Sequence, residues 1–352
     1  MRDEIAAVKG SDAIDLIQHH AGFIPIDVQP TPAGHEVTWL NVGNYHFTKA
    51  KFEFSIRRLT IAEQGRETVT TTLTDLADKS FLADALYPTG FIFHISRCGS
   101  TLLAKALART PNHIVIDEGT PLNDGLWHYL TNGWQQPVAY DQTNFTIYRN
   151  MLLALGRRRT CQQQRYFVKF RSWNALFIDF ITKVFPDVPC LFLYRDPVEV
   201  LVSGQWKPVW TLDFKGSAPG AYMSGCSVAA TQAMDDLTFL AKIYRRYFYA
   251  ALQSKTAPLR YLNYDHLTQD NYPTILTQAF DYHAPADQVA LMQAQFHYYS
   301  KDDDDTVRFT SDKAAKQQAA TQAIRQLVAQ EMGDLYEQVE RSEQNIGHLF
   351  VG

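Results

Sequence analysis

A glycine, two hydroxyl residues and an arginine lie between an apolar run and a helical pattern in FIFHISRCGSTLLAKAL, residues 91–107. Aligned on the phosphate-binding pattern GxxxxGK[ST], the segment keeps Gly99 and Thr101, whereas His94 replaces the first glycine and Ser100 replaces the lysine. That lysine normally reaches the β- and γ-phosphates of ATP. Because a helix N-terminus still favours negative charge without it, the segment is predicted to bind an anion other than Mg·ATP.

The anion is predicted to lie against backbone N–H groups. The groups from Cys98 to Leu102 would form a concave nest at the start of the helix, and Arg97 would add positive charge on the other side of Gly99. The alternative is an ordinary strand-to-helix turn in which the hydroxyls cap the helix and the arginine pairs with a surface carboxylate. The residues of the loop alone leave both interpretations open.

Alternating strands and helices are predicted to position this loop, after a Pro/Gly break in YPTG at residues 87–90. Strands are predicted at 91–95, 114–117, 166–170, 190–194 and 259–263, and helices at 100–109, 142–157, 173–185, 197–205 and 228–253. Runs such as FIFHI and CLFLY are apolar on both faces, which is typical of a parallel sheet covered on both sides. The alternation predicts an α/β three-layer sandwich around a central, mainly parallel sheet, with ligands at the carboxyl ends of its strands.

A small N-terminal α+β cap is predicted at residues 1–88, with the α/β domain at 89–352. A short helix is expected from Asp12 to His20, and HEVTWLNVG alternates like an edge strand. FEFSIRRLTIAE is ambiguous, since its apolar residues fit either a helix or a strand.

Composition narrows the class of protein. The 352 residues are 46% hydrophobic, which allows a substantial core. A net charge of −4 provides no general basic field, so binding to nucleic acid is not expected.

The four cysteines show no CxxC spacing, so we expect reduced thiols and no zinc site. No apolar run reaches membrane-spanning length and the first residues do not resemble a signal peptide, so a cytoplasmic protein is expected.

Two motifs resemble those of sulfotransferases that use 3′-phosphoadenosine 5′-phosphosulfate (PAPS). SRCGSTLL resembles their 5′-phosphosulfate loop, which typically reads Pro-Arg/Lys-Ser-Gly-Ser/Thr-Thr, although Ser96 replaces the proline and Cys98 the serine. RDPVEVLVS places Ser203 eight residues after Arg195, and in that family an arginine and a serine at this spacing hold the 3′-phosphate. An arginine ending a strand and a serine about two turns into the next helix can converge on one phosphate. The resemblance covers about residues 89–310.

The resemblance implies PAPS as co-substrate and no metal. The 5′-phosphosulfate would bind residues 97–102, and the 3′-phosphate would bind Arg195 and Ser203. Lys169, which ends the strand RYFVKF, would stabilise charge on the leaving phosphate, with Arg171 as a substitute. The alternative for Lys169 is a strand-end lysine that reaches solvent.

The resemblance also implies a general base at the end of HIVIDEG, 21 residues beyond Arg97, which is Glu118, with Asp117 as the second candidate. The same segment could be a Walker B strand with Asp117 on Mg²⁺, but the missing P-loop lysine favours the base. A turn carboxylate is the alternative for Glu118. His94 lies inside the preceding strand, so a hydrogen-bonded core histidine is expected there.

Two later segments have less certain roles. Residues 207–225, KPVWTLDFKGSAPGAYMSG, fit either a passive loop or a mobile lid over the acceptor. The four aspartates at 302–305 predict a solvated loop. Family members close a basic segment over the cofactor, which here would contain Arg308, Lys313 and Lys316. One helix is predicted over residues 313–345.

The sequence therefore predicts a metal-independent sulfotransferase that moves a sulfonate group from PAPS to a hydroxyl or amine of an acceptor. One alternative is a P-loop phosphotransferase or NTPase with Thr101 and Asp117 on Mg²⁺. Another is a non-catalytic nucleotide-binding module. The acceptor and the oligomeric state are left open, because fold does not set acceptor choice.

Overall fold

The computed structural model describes residues 8–9, 11–62, 66–77, 82, 84–254 and 259–351. The chain forms two compact units. The first contains Met1–Thr89 and Leu107–Val168, and the second contains Gly90–Ala106 and Lys169–Gly352. A functional division at residue 88 stays a prediction.

The first sheet has the order β1-β4-β3-β2. Its strands are β1 (Val8–Lys9), β2 (Phe23–Thr31), β3 (Gly34–Asn41) and β4 (Thr68–Thr72). Strand β3 pairs antiparallel with both β2 and β4, so the prediction that it is an edge strand is wrong. Its alternation arises because one face is buried, with Val37 and Trp39 in the core, and an interior strand can show that pattern as readily as an edge strand.

Two helices accompany this sheet, α1 (Ser11–His19) and α2 (Phe52–Ala62). The second is the ambiguous FEFSIRRLTIAE segment, and it is helical. Phe52, Ser55 and Leu59 are buried while Phe54 is exposed, which is the period of a helix and not of a strand.

The central sheet is parallel, is flanked by helices and has the order β6-β7-β5-β8-β9. Its strands are β5 (Gly90–His94), β6 (His113–Asp117), β7 (Arg165–Lys169), β8 (Cys190–Tyr194) and β9 (Leu259–Asn263). Each lies within one residue of its predicted bounds. All residues of β5, β6 and β8 are buried, as expected for strands covered on both faces. The predicted α/β fold with a central parallel sheet is confirmed.

The remaining helices connect and cover these strands. They are α3 (Ser100–Ala108), α4 (Asp124–Leu130), α5 (Gln142–Leu155), α6 (Ile178–Val184), α7 (Pro197–Trp206), α8 (Ala218–Ser224), α9 (Val228–Ala233), α10 (Asp236–Gln253), α11 (Tyr272–Phe280), α12 (Ala286–Gln293), α13 (Lys313–Ala319), α14 (Gln322–Glu331) and α15 (Gly333–Arg341). Among the helices that the structure describes, none has both the length and the apolar character needed to cross a lipid bilayer.

Three predicted helices are interrupted. The helix predicted at 228–253 is α9 and α10, because Asp235 accepts a hydrogen bond from the Thr238 N–H and starts a new helix. The helix predicted at 313–345 is α13, α14 and α15, and Thr321 caps α14 in the same way. The helix predicted at 173–185 begins as a 3₁₀ helix, Ser172–Phe177, before α6.

The register of β5, β8 and β9 brings their carboxyl ends to one edge. His94 is opposite Leu193, and Tyr194 is opposite Asn263, so the three following loops begin at the same level. This edge belongs to the second unit and positions the candidate site.

Candidate functional site

The loop after β5 has an unusual backbone. The φ angle is positive at Ser96 (80°), Arg97 (55°) and Gly99 (82°). Left-handed backbone costs a residue with a side chain about 1–2 kcal/mol, so two such residues in succession need support from their surroundings. Anion-binding nests form where right- and left-handed residues alternate, as the sign of φ does from Arg97 through Cys98 to Gly99.

His94 supplies part of that support. Its Nδ1 accepts a hydrogen bond from the Ser96 N–H at 2.9 Å, and its Nε2 lies 3.0 Å from the Phe170 carbonyl. Because Nδ1 accepts, Nε2 must carry the proton and donate it to the carbonyl. His94 is the buried, hydrogen-bonded histidine that the sequence predicts, and it holds the loop to the strand end.

Gly99 is required by the close approach of an aromatic ring. A Cβ at this position would lie 2.5 Å from Cδ2 of Tyr264, the residue that follows β9. The guanidinium carbon of Arg195 lies 4.6 Å from the centre of the same ring. Tyr264 therefore packs between the loop and the arginine that ends β8, and it holds them in a fixed relation.

The two predicted phosphate motifs are hydrogen-bonded to each other. The Nε of Arg97 donates to the hydroxyl of Ser203 at 2.8 Å, and its Nη2 donates to the Ser203 carbonyl at 3.2 Å. Sequence reasoning assigned these residues to opposite ends of one ligand. The structure brings them into direct contact through the last turns of α7.

Cys98 is a structural part of the loop. Its thiol donates to the Leu193 carbonyl at 3.2 Å, and burial raises the pKa of the thiol to about 11. The positive charges of Lys169 and Arg195 both act on this thiol in the opposite direction, which locates both cations around the loop. The side chain is therefore turned toward the sheet, and Cys98 can contribute its backbone N–H to an anion.

Helix α3 starts directly after the loop. Its first intrahelical bond runs from the Leu103 N–H to the Gly99 carbonyl at 3.2 Å. The N–H groups of Ser100, Thr101 and Leu102 lie in the first turn, where an α-helix offers them no carbonyl partner. The start of the helix therefore presents donors and partial positive charge at the edge of the sheet.

Arg195 is almost fully buried, with 4% of its surface exposed. Its Nε donates to Glu199 at 2.6 Å, and its Nη2 donates to Asp312 at 3.0 Å. Burial by itself lowers the pKa of the guanidinium, but the two carboxylates outweigh it and the pKa is raised above its usual value. Arg195 is therefore a fixed positive charge at the end of β8.

Lys316 is a third cation of the site. Its Nζ lies 2.7 Å from the second oxygen of Asp312, and its side chain is buried. Burial lowers the pKa of this amine, the hydrogen bond to Asp312 raises it, and the charges of Arg195 and Arg97 lower it. Arg195 and Lys316 therefore share one carboxylate, and the charge of Arg97 also acts on Lys316, an arrangement that suits an anion site.

The other two residues of the predicted basic segment are exposed. Lys313 forms an exposed ion pair with Asp265 at 2.5 Å. The guanidinium of Arg308 lies 5.0 Å from the centre of the Tyr298 ring. Only Lys316 of the three is buried beside Arg195.

Asp117 and Glu118 belong to the first unit, at the end of β6. Glu118 has a positive φ of 55°, and its carboxylate lies 3.6 Å from Nζ of Lys51. Its carbonyl accepts a hydrogen bond from the Asn123 side chain at 3.2 Å. Strained backbone occurs preferentially at functional positions, so the positive φ of Glu118 is consistent with a functional role. Its role as the base stays a prediction.

The aspartate run is not simply a solvated loop. Asp302 accepts hydrogen bonds from the Thr306 and Val307 N–H groups, and these lower the pKa of its carboxyl to about 2. Asp305 pairs at 2.7 Å with Lys105 of α3, whose side chain is buried. The sequence-based prediction is therefore wrong for Asp305, because the charge run cannot reveal a buried lysine from a distant helix.

Residues 207–225 form a 3₁₀ helix, Trp210–Phe214, and then α8, so the segment is folded. The guanidinium of Arg171 lies 4.9 Å from the centre of the Trp173 ring and 5.3 Å from that of Trp210. The role of the segment as a lid stays a prediction.

No group of three or more His, Cys, Asp or Glu side chains in the described part of the chain is arranged to hold a metal ion.

Comparison with known proteins finds likeness in structure but no match in sequence. Neither the models of protein families nor the curated protein sequences match this chain. Among solved structures, it is similar to the crystal structure of sulfotransferase STF9 from Mycobacterium avium. That similarity has a TM-score of 0.40 and 12% sequence identity, and covers 94% of this chain and 97% of the other.

Sequence analysis assigned no role to three residues that shape the site: Tyr264, Glu199 and Asp312. Tyr264 had a usable signal, because it directly follows a predicted strand of the sheet. Glu199 lies one helical turn after Arg195, which also could have suggested an ion pair. Asp312 gives no such signal, since it is 117 residues from Arg195 and only the folded chain brings them together.

Proposed function

We propose that this protein is a sulfotransferase that transfers the sulfonate group of PAPS to a hydroxyl or amine of an acceptor. The observation that carries the proposal is the convergence of Arg97, Arg195 and Lys316 beside a loop without the P-loop lysine. Arg195 and Lys316 are buried, and buried cations are costly unless anions neutralise them. PAPS carries anionic groups at two separate positions. One could bind the loop and the other the arginine cluster.

The residues of the second unit fit such a ligand. The N–H groups from Cys98 to Leu102 would hold the 5′-phosphosulfate, because they lie at a helix start and in a loop with left-handed backbone. Arg195 would hold the 3′-phosphate, assisted by Lys316. Ser203 orients Arg97 by accepting its hydrogen bond, in addition to any contact with the phosphate.

The chemistry follows from where charge develops. The acceptor atom forms a bond to sulfur while the bond from sulfur to the phosphate oxygen breaks, and the 5′-phosphate leaves with increased negative charge. Arg97, Lys169 and the loop N–H groups would stabilise that charge, which removes the need for a metal. Glu118 is proposed to take the proton of the acceptor hydroxyl or amine.

Titration calorimetry tests the donor. The by-product 3′-phosphoadenosine 5′-phosphate should bind without Mg²⁺ and more tightly than ATP or GTP, since no lysine is available for a γ-phosphate. Adenosine 5′-phosphate, which lacks the 3′-phosphate, should bind at least about tenfold more weakly. Tight, Mg²⁺-dependent binding of ATP would favour a phosphotransferase.

A transfer assay separates the enzyme from a binding module. Protein supplied with PAPS and a panel of phenols, sugars, amines and peptides should release 3′-phosphoadenosine 5′-phosphate in step with a sulfonated product. Donor binding without any transfer across such a panel would favour the non-catalytic module.

A further inference from the structure

Asp312 lies between two buried cations. Its Oδ1 is 3.0 Å from Nη2 of Arg195, and its Oδ2 is 2.7 Å from Nζ of Lys316. The side chains of Arg195 and Lys316 are 5% and 3% exposed, whereas that of Asp312 is 51% exposed. The cations are thus fixed inside the protein, and the carboxylate reaches them from the solvent side.

In its own helix, the Asp312 carboxylate pairs with Lys316 four residues on and does not cap the helix. Asp312 precedes α13 and its side chain makes no capping hydrogen bond to that helix, although Asp is among the residues that favour such a bond at this position. Its carbonyl, and not its carboxylate, accepts the first hydrogen bond of the helix, from the Lys316 N–H at 3.0 Å. The two oxygens of Asp312 are therefore committed to Arg195 and Lys316.

Asp312 is the anionic partner of these cations that a ligand can reach from solvent. Glu199 already pairs with Arg195 at 2.5 Å, and the charge of Arg97 acts on Lys316. Among the described contacts of Arg195 and Lys316, the carboxylates are those of Glu199 and Asp312, and of these two only Asp312 is accessible to solvent, since Glu199 is buried. A phosphate monoester offers a charge of about −1.5 to −2 and three acceptor oxygens, so it matches the cations better than Asp312 does.

We propose that Asp312 is an internal anion that occupies the place of a ligand phosphate between Arg195 and Lys316, so that the ligand must displace it. The identity of that ligand as a 3′-phosphorylated nucleotide rests on the proposed function. Asp312 then weakens nucleotide affinity and takes over the two cations as the by-product leaves. Release of a nucleotide that carries two phosphates would otherwise be slowed by the same contacts that bind it.

The expected change in ligand affinity follows from competition between the Asp312 carboxylate and the ligand for the same cations. A ligand binds only the fraction of molecules in which the carboxylate has moved away, and its apparent affinity is reduced by that fraction. Because the carboxylate is half exposed, its hold on the cations is screened by water, and we expect a reduction of about three- to tenfold.

Calorimetry with Asp312→Asn tests the inference, because the amide keeps the shape and removes the charge. The variant should bind 3′-phosphoadenosine 5′-phosphate about three- to tenfold more tightly and release it correspondingly more slowly. Adenosine 5′-phosphate should bind both proteins within about a factor of two. Asp312→Ala provides a second removal of the carboxylate, and thermal unfolding verifies that both variants are folded.

Asp265→Asn is the matched control. It removes the same charge from a neighbouring, exposed ion pair, that of Lys313, without touching Arg195 or Lys316. An equal gain in affinity in this control would overturn the inference, because the effect would be one of net charge. Equal affinity of the wild type and Asp312→Asn for 3′-phosphoadenosine 5′-phosphate would also overturn it, while leaving the proposed function intact.

If 3′-phosphoadenosine 5′-phosphate does not bind at all, the proposed function fails. The inference about Asp312 can then be tested with inorganic phosphate as the ligand. Asp312→Asn should then be stabilised against thermal unfolding by phosphate at about three- to tenfold lower concentration than the wild type. Stabilisation of both proteins at the same phosphate concentration would refute the inference.

Discussion

Arg195 is anchored on one side by a buried carboxylate and on another by an aromatic ring. Glu199 is 1% exposed and pairs with the guanidinium, and Tyr264 lies against its face. Removal of the arginine alone would leave Glu199 charged and buried, which costs about 3–5 kcal/mol. The single substitution Arg195→Ala would therefore report on folding as well as on the ligand.

A double variant isolates the role of Arg195. Arg195→Met with Glu199→Gln removes both charges, and the amide introduced by the second substitution keeps an oxygen for the hydrogen bond that Gln317 donates to Glu199. Loss of a charge-assisted contact should weaken 3′-phosphoadenosine 5′-phosphate by about ten- to a hundredfold in calorimetry. Adenosine 5′-phosphate should be little affected. Equal weakening of both ligands would show that Arg195 does not contact the 3′-phosphate.

Glu118→Gln tests the assignment of the base. The substitution keeps the shape of the side chain and removes its basicity, so turnover should fall by about 10²–10⁴-fold while donor affinity changes little. Asp117→Asn is the comparison and should be milder. If Asp117→Asn abolishes turnover and Glu118→Gln does not, the base is Asp117.

Gly99→Ala tests the packing of the loop against Tyr264. The new Cβ would lie 2.5 Å from the ring, and the alanine would have to adopt a φ of 82°. Both the steric clash and the backbone conformation therefore destabilise the variant. The backbone contribution alone is about 1–2 kcal/mol, and we expect anion binding to weaken about tenfold or more. Gly225→Ala is matched in φ, at 72°, but meets its nearest atom only at 3.4 Å. It should lower stability and leave anion binding unchanged, and equal binding losses in both would contradict the proposed role of the loop.

At the scale of elements, strand β6 carries a titratable group in the core. His113 is fully buried, its Nδ1 donates to the Leu107 carbonyl at 2.7 Å, and its ring meets Phe167 edge-on. Burial lowers the pKa of His113 to about 4, because the charged form is poorly solvated there.

This pKa predicts a pH-dependent stability. Below pH 6.5 the unfolded chain binds a proton at His113 that the folded chain does not, so the free energy of unfolding should fall as the pH drops from 6.5 to 4. The full shift corresponds to about 3 kcal/mol at most. Urea unfolding of the wild type and of His113→Asn at several pH values measures it. The variant should lose part of this slope, and an identical slope would show that other groups cause it.

At the scale of the whole molecule, the proposed chemistry needs no metal. Treatment with EDTA should leave both donor binding and sulfonate transfer unchanged, because the proposed stabilising groups are cationic side chains and N–H donors. Activity that disappears with EDTA and returns with Mg²⁺ would contradict this prediction and favour a phosphotransferase.

Local sequence patterns were sufficient to predict the central sheet and the loop at its edge. The strands FIFHI and CLFLY were recognisable because strands buried on both faces must be apolar throughout, and their loops were recognisable because a parallel sheet places its ligands at carboxyl ends. Local patterns were therefore enough to predict that Arg97, Gly99 and Arg195 lie at the same edge of the sheet.

The interrupted helices could not be predicted as readily, because apolar periodicity continues across the breaks. The side chains of Asp235 and Thr321 cap new helices at those points, and one hydrogen bond outweighs a pattern that otherwise continues. The alternating pattern of β3 likewise predicts which face of the strand is buried. It does not predict which strands pair with β3, since strand pairing is a long-range property.

The pairing of charges in the site depends on contacts between distant parts of the chain. Arg97 bonds Ser203, 106 residues away, and Arg195 meets Asp312, which is 117 residues away, so no window of the sequence contains either pair. Opposite charges attract whatever their separation along the chain, and the fold selects which of the many possible partners meet. The sequence could therefore assign an anion to this edge of the sheet, while the carboxylate between Arg195 and Lys316 became visible only in the folded chain.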